Sequence, residues 1–210
     1  MRLLVTILIL PLIYFYGKSF SLLFGIVSFA EPYQFWFLIA FAGATILSFL
    51  FISKGSFLAT FEHELTHNLF AILTFNKPTG FHVNRDGSGL FQYRGRGNIL
   101  ITLGPYFFQT FSFLLLPLYL VIIPDYYAYF FGLLGILTGY HTSSTIKEFR
   151  FRQPDIRKNG ILYSTILVVF LNIISYGILF SFVAGRWVGI KDFLVSGILD
   201  FVGIVKSLFA

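Results

Sequence analysis

Two histidines and a glutamate stand together as His63-Glu64-Leu65-Thr66-His67, inside the stretch ATFEHELTHNLFAI at residues 59–72. On a helix, positions i and i+4 share a face and lie about 6 Å apart along the axis, so both imidazoles can reach one zinc ion. Glu64, beside the first imidazole, is suited to take a proton from a water that the metal acidifies and to return it to a leaving amine. With four His and four Glu in the chain, chance assembly of H-E-x-x-H is on the order of one in a thousand. The bland alternative is a polar helix–helix contact in which these groups satisfy one another. Glu62 fits either account: it tunes the site or hydrogen-bonds a neighbouring helix.

A catalytic zinc needs a third protein ligand and an open position. Asp155, in RQPDIRKNG, and His141, in GYHTSST, are the main candidates. Asp155 reaches the histidines only if segment 153–160 dips into the fold, which Pro154 and Asn159-Gly160 permit. Otherwise it is a helix-start residue or a charge balancing Arg152 and Arg157. His141 lies within an apolar run; its alternative is a buried, hydrogen-bonded histidine. Glu148 is a weaker candidate, and His82 falls in a loop where exposure is the default.

The elements that must hold these groups are apolar. Of the 210 residues 57% are hydrophobic and 11% charged, and the mean hydropathy is +0.82. Such density implies a multi-pass membrane protein, here an all-α fold of about six transmembrane helices. Span-length windows run Pro32–Ser53, Ser56–Phe75, Ile99–Pro124, Tyr126–Ile146 and Ile161–Ala184. Leu3–Ala30, interrupted by Pro11 and Lys18, is one long helix with Lys18 snorkelling or a re-entrant pair. A cleavable signal peptide is not expected, since no A-x-A-like site follows a compact apolar core. The tail 186–210, broken by Lys191, Asp192, Ser196, Asp200 and Lys206, reads as an interfacial amphipathic helix. We therefore expect a single membrane-embedded domain over 1–210, with its core in 56–184. Gly104-Pro105 should kink the span it enters.

There is no cysteine, so thiolate metal sites are excluded. The formal charge of +6 sits in short loops, which argues for membrane topology and against nucleic acid as a partner. Loops 76–98 and 147–160 hold most of the basic residues and are separated by two spans. They share a side, and the positive-inside tendency makes it cytoplasmic. The turn at Pro124–Asp125 and Lys54 then face outward. Within loop 76–98, Phe81–Val83 and Leu90–Tyr93 flank Asp86-Gly87-Ser88-Gly89, the pattern of a β-hairpin. The hairpin is a connector, or a strand edge open to an extended peptide.

In this order the motifs resemble the site-2-protease class of intramembrane zinc metallopeptidases, in particular its small M50B-type branch without a PDZ domain. Four features carry the resemblance: His63-Glu64-x-x-His67 in a span, a hairpin-like loop after it, Gly104-Pro105 opening the next span, and Pro154-Asp155 before a later one. Together they cover roughly residues 56–184. The resemblance implies hydrolysis of peptide bonds in a transmembrane protein or peptide substrate, at the lipid bilayer. Zinc would be held by His63, His67 and Asp155, with Glu64 as general base. It also implies a cell (inner) membrane enzyme whose site opens toward the cytoplasm. The chain departs from the family pattern in two places: Ile156, not glycine, follows the aspartate, and an Asn-x-x-Pro pattern before it is missing.

Two other readings compete. ZIP-like zinc transporters also carry His and Glu at helical spacing in a span, but they need a second ligand cluster. A non-catalytic relative of the protease fold would keep the architecture without need of Glu64.

Overall fold

A computed structural model describes residues 2–53 and 55–208; Lys54 lies outside the described residues. The chain is mostly helical and divides into two compact units, Trp36–Ile161 and Met1–Phe35 with Leu162–Ala210. Helices α1 (Arg2–Ile26), α2 (Pro32–Phe51) and α8 (Ile161–Leu208) are long and apolar enough to cross a membrane. A fourth span exists if the bent segments Ile99–Tyr106 and Thr110–Leu120 count as one. This is fewer than the expected six, for physical reasons visible in each remaining window. The helix carrying the motif, α3 (Phe57–Leu73), has only 17 residues. Helix α6 (Tyr127–Glu148) ends in a polar run of Thr, Ser, His, Lys and Glu. Window 99–124 is broken outright.

That break begins at Gly104-Pro105. Helix α4 (Ile99–Leu103) passes into a 3-10 turn at Gly104–Tyr106, and α5 (Thr110–Leu115) leaves at 93°. Proline has no N–H to continue the ladder, and Gly104 lets the turn press on α3. A Cβ at Gly104 would stand 2.6 Å from the Phe70 ring and 3.2 Å from Thr66 Cγ2.

In this unit Ser56 caps α3, its hydroxyl accepting from Ala59 N at 3.3 Å. The helix stops at Thr74, where Phe75 takes a positive φ of 58°. Asn76 then ties the helix end to the far end of the hairpin, accepting from Gly97 N at 3.0 Å. Strands β1 (Lys77–Val83) and β2 (Gly89–Arg94) pair antiparallel, Phe81 opposite Phe91, with an irregularity between Pro78 and Gly80. They are longer than their sequence pattern implied. Asp86 Oδ1 closes the turn by accepting from Ser88 N and Oγ at 2.9 and 2.7 Å.

The hairpin packs on α3. Phe81 meets Phe61 edge-on at 5.6 Å, and Phe91 stacks on the His67 ring at 5.7 Å. Its turn is held by Thr60 Oγ1 donating to Gly87 O at 2.8 Å. Gly87 has φ 81°, and a Cβ there would lie 1.6 Å from Gly55 O. No other residue fits that contact.

Helix α6 approaches α2 through Gly135 and Gly139. A Cβ at either would stand 2.4 Å from a carbonyl oxygen, of Phe37 and Phe41 respectively. Small residues one turn apart permit such close backbone approach. Lys147 of α6 donates to Ser48 O at 3.1 Å, which also accepts from Ile52 N, and to Ile52 O just past the end of α2. Helix α7 (Pro154–Lys158) buries Ile156 completely, and Asn159 Nδ2 donates to Thr102 Oγ1 at 3.0 Å.

In the other unit, Pro11 lies inside one continuous α1 rather than a re-entrant pair. Helix α8 breaks at Gly185 and Arg186, the latter at φ 58°. Beyond the break the chain doubles back. The Phe193 ring lies 2.0 Å from where a Cβ on Gly177 would be; in a straight helix these two positions would be about 24 Å apart. The tail 187–208 is thus a helix with one face packed against 161–184 and α1, its Gly197 beneath the Tyr16 ring. Gln34 Nε2 reaches Ala184 O at 3.5 Å, and Arg186 Nη1 donates to Val183 O at 2.8 Å, covering the exposed end of the first arm.

Candidate metal centre

The motif lies mid-way along α3, with His63 and His67 one turn apart and their ring centroids at 4.8 Å. The Asp155 carboxylate comes to the same point from α7. Its Oδ2 is 3.8 Å from His63 Nε2 and 3.7 Å from His67 Nε2. Potential ligand atoms of all three residues lie within 4.8 Å of one another. Two ligands about 2.1 Å from one zinc at a tetrahedral angle are about 3.4 Å apart. The two Asp155 contacts match that spacing to within a few tenths of an ångström, while the two imidazole nitrogens would close by up to about 1.4 Å to share one ion.

The outer nitrogens make the fit more specific. His63 Nδ1 faces Glu148 Oε2 at 3.3 Å, and His67 Nδ1 faces the Ile101 carbonyl at 2.5 Å. Both acceptors call for a proton on Nδ1, which leaves the Nε2 lone pairs free toward Asp155. Metal-ligating histidines are held in this way by a carboxylate or carbonyl on the far nitrogen. The Ile101 carbonyl is open for a local reason: its i+4 partner along the helix is Pro105, which has no N–H. The Gly104-Pro105 break therefore both bends the chain and supplies a hydrogen-bond acceptor to the motif.

Asp155 sits in the first turn of α7, after Pro154. Tyr106, itself almost wholly buried, donates its O–H to Asp155 Oδ2 at 3.3 Å and turns its ring edge to His63. Burial pushes the Asp155 carboxyl up, but the His63 contact and the Tyr106 O–H together hold it below the usual carboxylate range.

Glu64 faces an open cleft of about 240 Å³, whose wall includes His63, Gly87, Gly89 and Glu148. The start of β2 is hard against it: a Cβ on Gly89 would lie 2.6 Å from Glu64 Oε1 and from Thr60 Cγ2. His141 is elsewhere engaged. Its Nδ1 meets Glu62 Oε1 at 3.2 Å and its Nε2 meets Thr145 Oγ1 at 3.0 Å, with both members of the Glu62–His141 pair buried. His82 is exposed and bonds Asn84. Glu62 thus contacts a neighbouring helix, the second of its two expected roles. Thr66 links α3 to α5 through Thr110.

Sequence reasoning weighed Glu148 as a ligand and did not assign it to His63 Nδ1; it missed Tyr106, Phe91 and the Ile101 carbonyl. One signal was available: His141, Thr145 and Glu148 recur at helical spacing, marking a polar stripe on α6.

The Peptidase M50B-like family model matches residues 36–140, half of the chain. The chain belongs to the M50B-like peptidase family. The matched stretch contains the motif, the hairpin and Gly104-Pro105, and ends before Glu148 and Asp155. No curated protein and no solved structure matches the chain. Family membership and the long apolar helices make it a membrane protein of peptidase type.

Proposed function

We propose that this family member is an intramembrane zinc endopeptidase that hydrolyses peptide bonds of membrane-spanning substrates. The observation that carries the reading is the convergence of the His63 and His67 Nε2 atoms on Asp155 Oδ2, with each Nδ1 held by an acceptor. His63, His67 and Asp155 hold the metal. Zinc bound there would acidify a water and polarise the scissile carbonyl. Glu64 takes the proton from the attacking water and gives it to the leaving nitrogen as the C–N bond breaks, so protons balance over the turnover. Glu148, Ile101 and Tyr106 hold the three ligands in orientation.

A substrate helix keeps its amides bonded internally and must be extended before attack. The cleft is bordered by Gly87 and Gly89 at the start of β2, which supports an extended substrate segment lying along the hairpin edge. We propose a multi-pass arrangement of about six crossings in the cell (inner) membrane, with the shorter α3, the bent α4–α5 pair and α6 completing the set. Loops 76–98 and 147–160, and with them the site, face the cytoplasm on the positive-inside argument.

The transporter reading wants a second ligand cluster. Among the described residues one group of three forms, His63, His67 and Asp155, while His141 is paired with Glu62. Glu64→Gln tests the mechanism. Cleavage of a transmembrane substrate in liposomes should fall by at least 100-fold, about 10²–10⁴ being typical of a general base, while zinc stays bound. Unchanged cleavage would refute Glu64 as the base, and zinc flux without cleavage would favour transport.

A further inference from the structure

Strand β2 turns one face to the helix that carries the motif. Side chains alternate along a strand, so Gly89, Phe91 and Tyr93 share that face, while Leu90 and Gln92 are on the other and exposed. Gly89 comes up against Glu64. Phe91 lies parallel to the His67 ring, with the centroids 5.7 Å apart and the planes 11° from parallel. Tyr93 in turn stacks on Phe91 at 5.5 Å and 19°. The series is fixed at its far end. Gly97, at φ 65°, runs so close to Tyr93 that a Cβ there would stand 2.2 Å from the phenol oxygen, and Gly97 N donates to Asn76 Oδ1 at 3.0 Å. Phe91 is also paired across the hairpin with Phe81, whose ring meets Phe61 of α3.

His67 needs such a support. Its Nδ1 faces the Ile101 carbonyl, and a hydrogen bond to a carbonyl tolerates a broad range of directions. That contact fixes one edge of the imidazole and leaves its plane free to tilt, which would carry Nε2 away from Asp155 Oδ2, now at 3.7 Å. A flat ring laid parallel to the imidazole opposes the tilt, because tilting presses one edge into the ring and opens a gap under the other. Resting on the reading of His67 as a zinc ligand, we propose that Phe91 is a positioning residue. Its ring holds the His67 imidazole in the plane that aims Nε2 at the metal, which makes the hairpin one wall of the metal centre.

The test is the visible spectrum of the cobalt(II) form of the solubilised full-length chain, with zinc affinity measured alongside by competition with a chelator. Four-coordinate cobalt absorbs far more strongly than five- or six-coordinate cobalt, and a ligand that drifts lets a further water in. Phe91→Ala should lower the absorption at saturating cobalt by roughly half or more and weaken zinc binding about tenfold. Phe91→Tyr, which keeps the flat ring, should behave as wild type in both. Phe91→Leu keeps apolar bulk without the plane and should behave as Phe91→Ala. Wild-type absorption in Phe91→Ala, or in Phe91→Leu, would overturn the proposal, the second because packing alone would then suffice. The leucine and tyrosine variants both keep the hairpin packed, so the comparison between them decides even where Phe91→Ala does not fold. A wild type whose cobalt spectrum matches that of His63→Ala would overturn the metal-centre reading itself. A strong wild-type spectrum unmoved by loss of the ring overturns the positioning role alone.

Discussion

Replacing Glu148 by alanine should weaken zinc binding without removing a ligand. Glu148 Oε2 lies 3.3 Å from His63 Nδ1, and the two side chains are only 14% and 16% exposed; a water entering from the adjoining cleft is a weaker and less fixed acceptor than the carboxylate. In the variant, His63 loses the acceptor that keeps its proton on Nδ1, and part of the population presents N–H to the metal instead of a lone pair. Loss of such an outer partner costs about 10–100-fold in metal affinity, or about 1.4–2.7 kcal/mol at about 1.4 kcal/mol per tenfold. Glu148→Gln keeps an acceptor oxygen and should stay within a few-fold of wild type. The assay is competition for zinc between a chromophoric chelator and the solubilised full-length chain, with His63→Ala as the reference for true ligand loss. Two results would refute the reasoning. Unaltered affinity in Glu148→Ala would mean the contact does not orient His63. A loss as large as that of His63→Ala would mean Glu148 binds the metal itself.

Gly89→Ala puts a Cβ 2.6 Å from Glu64 Oε1; displacing the base by about 1 Å should lower cleavage by roughly 100-fold, with zinc affinity preserved in the same chelator assay. Pro105→Ala restores an N–H that competes for the Ile101 carbonyl, freeing His67 Nδ1. Zinc affinity should fall by about tenfold, and retention of wild-type affinity would deny that carbonyl its role. Either Glu62→Ala or His141→Ala leaves a buried partner unpaired, which should cost about 3–5 kcal/mol in reversible unfolding. Replacing both by apolar residues should recover much of that loss, and additive losses in the double variant would argue against direct coupling.

How much of this was legible beforehand depends on the distance in sequence between partners. The 3.6-residue period of a helix is enough to put His63 and His67 on one face. Turn chemistry at 86–89 is enough to announce a hairpin, because its hydrogen bonds close within a few residues. Apolar run lengths declared the membrane setting but drew window 99–124 as a single span, since hydropathy does not register the 93° break at Gly104-Pro105. The reversal at Gly185-Arg186 was likewise invisible. It depends on Phe193 seating on Gly177, a contact between two positions that neither residue type announces.

By itself, then, the sequence determined the motif with Glu64 inside it, the apolar setting and the hairpin, all of them consequences of local spacing. Tertiary structure decided which distant polar group stands beside the imidazoles. Asp155, His141 and Glu148 were all within reach on paper, 74 to 92 positions along the chain from the motif histidines. Packing of α6 and α7 against α3 sorts them: Asp155 to the two Nε2 atoms, Glu148 to His63 Nδ1, His141 to Glu62. No local period encodes that choice, because it follows from the rotation of α6 set by Gly135 and Gly139 against α2 and from the seating of Ile156 in the core.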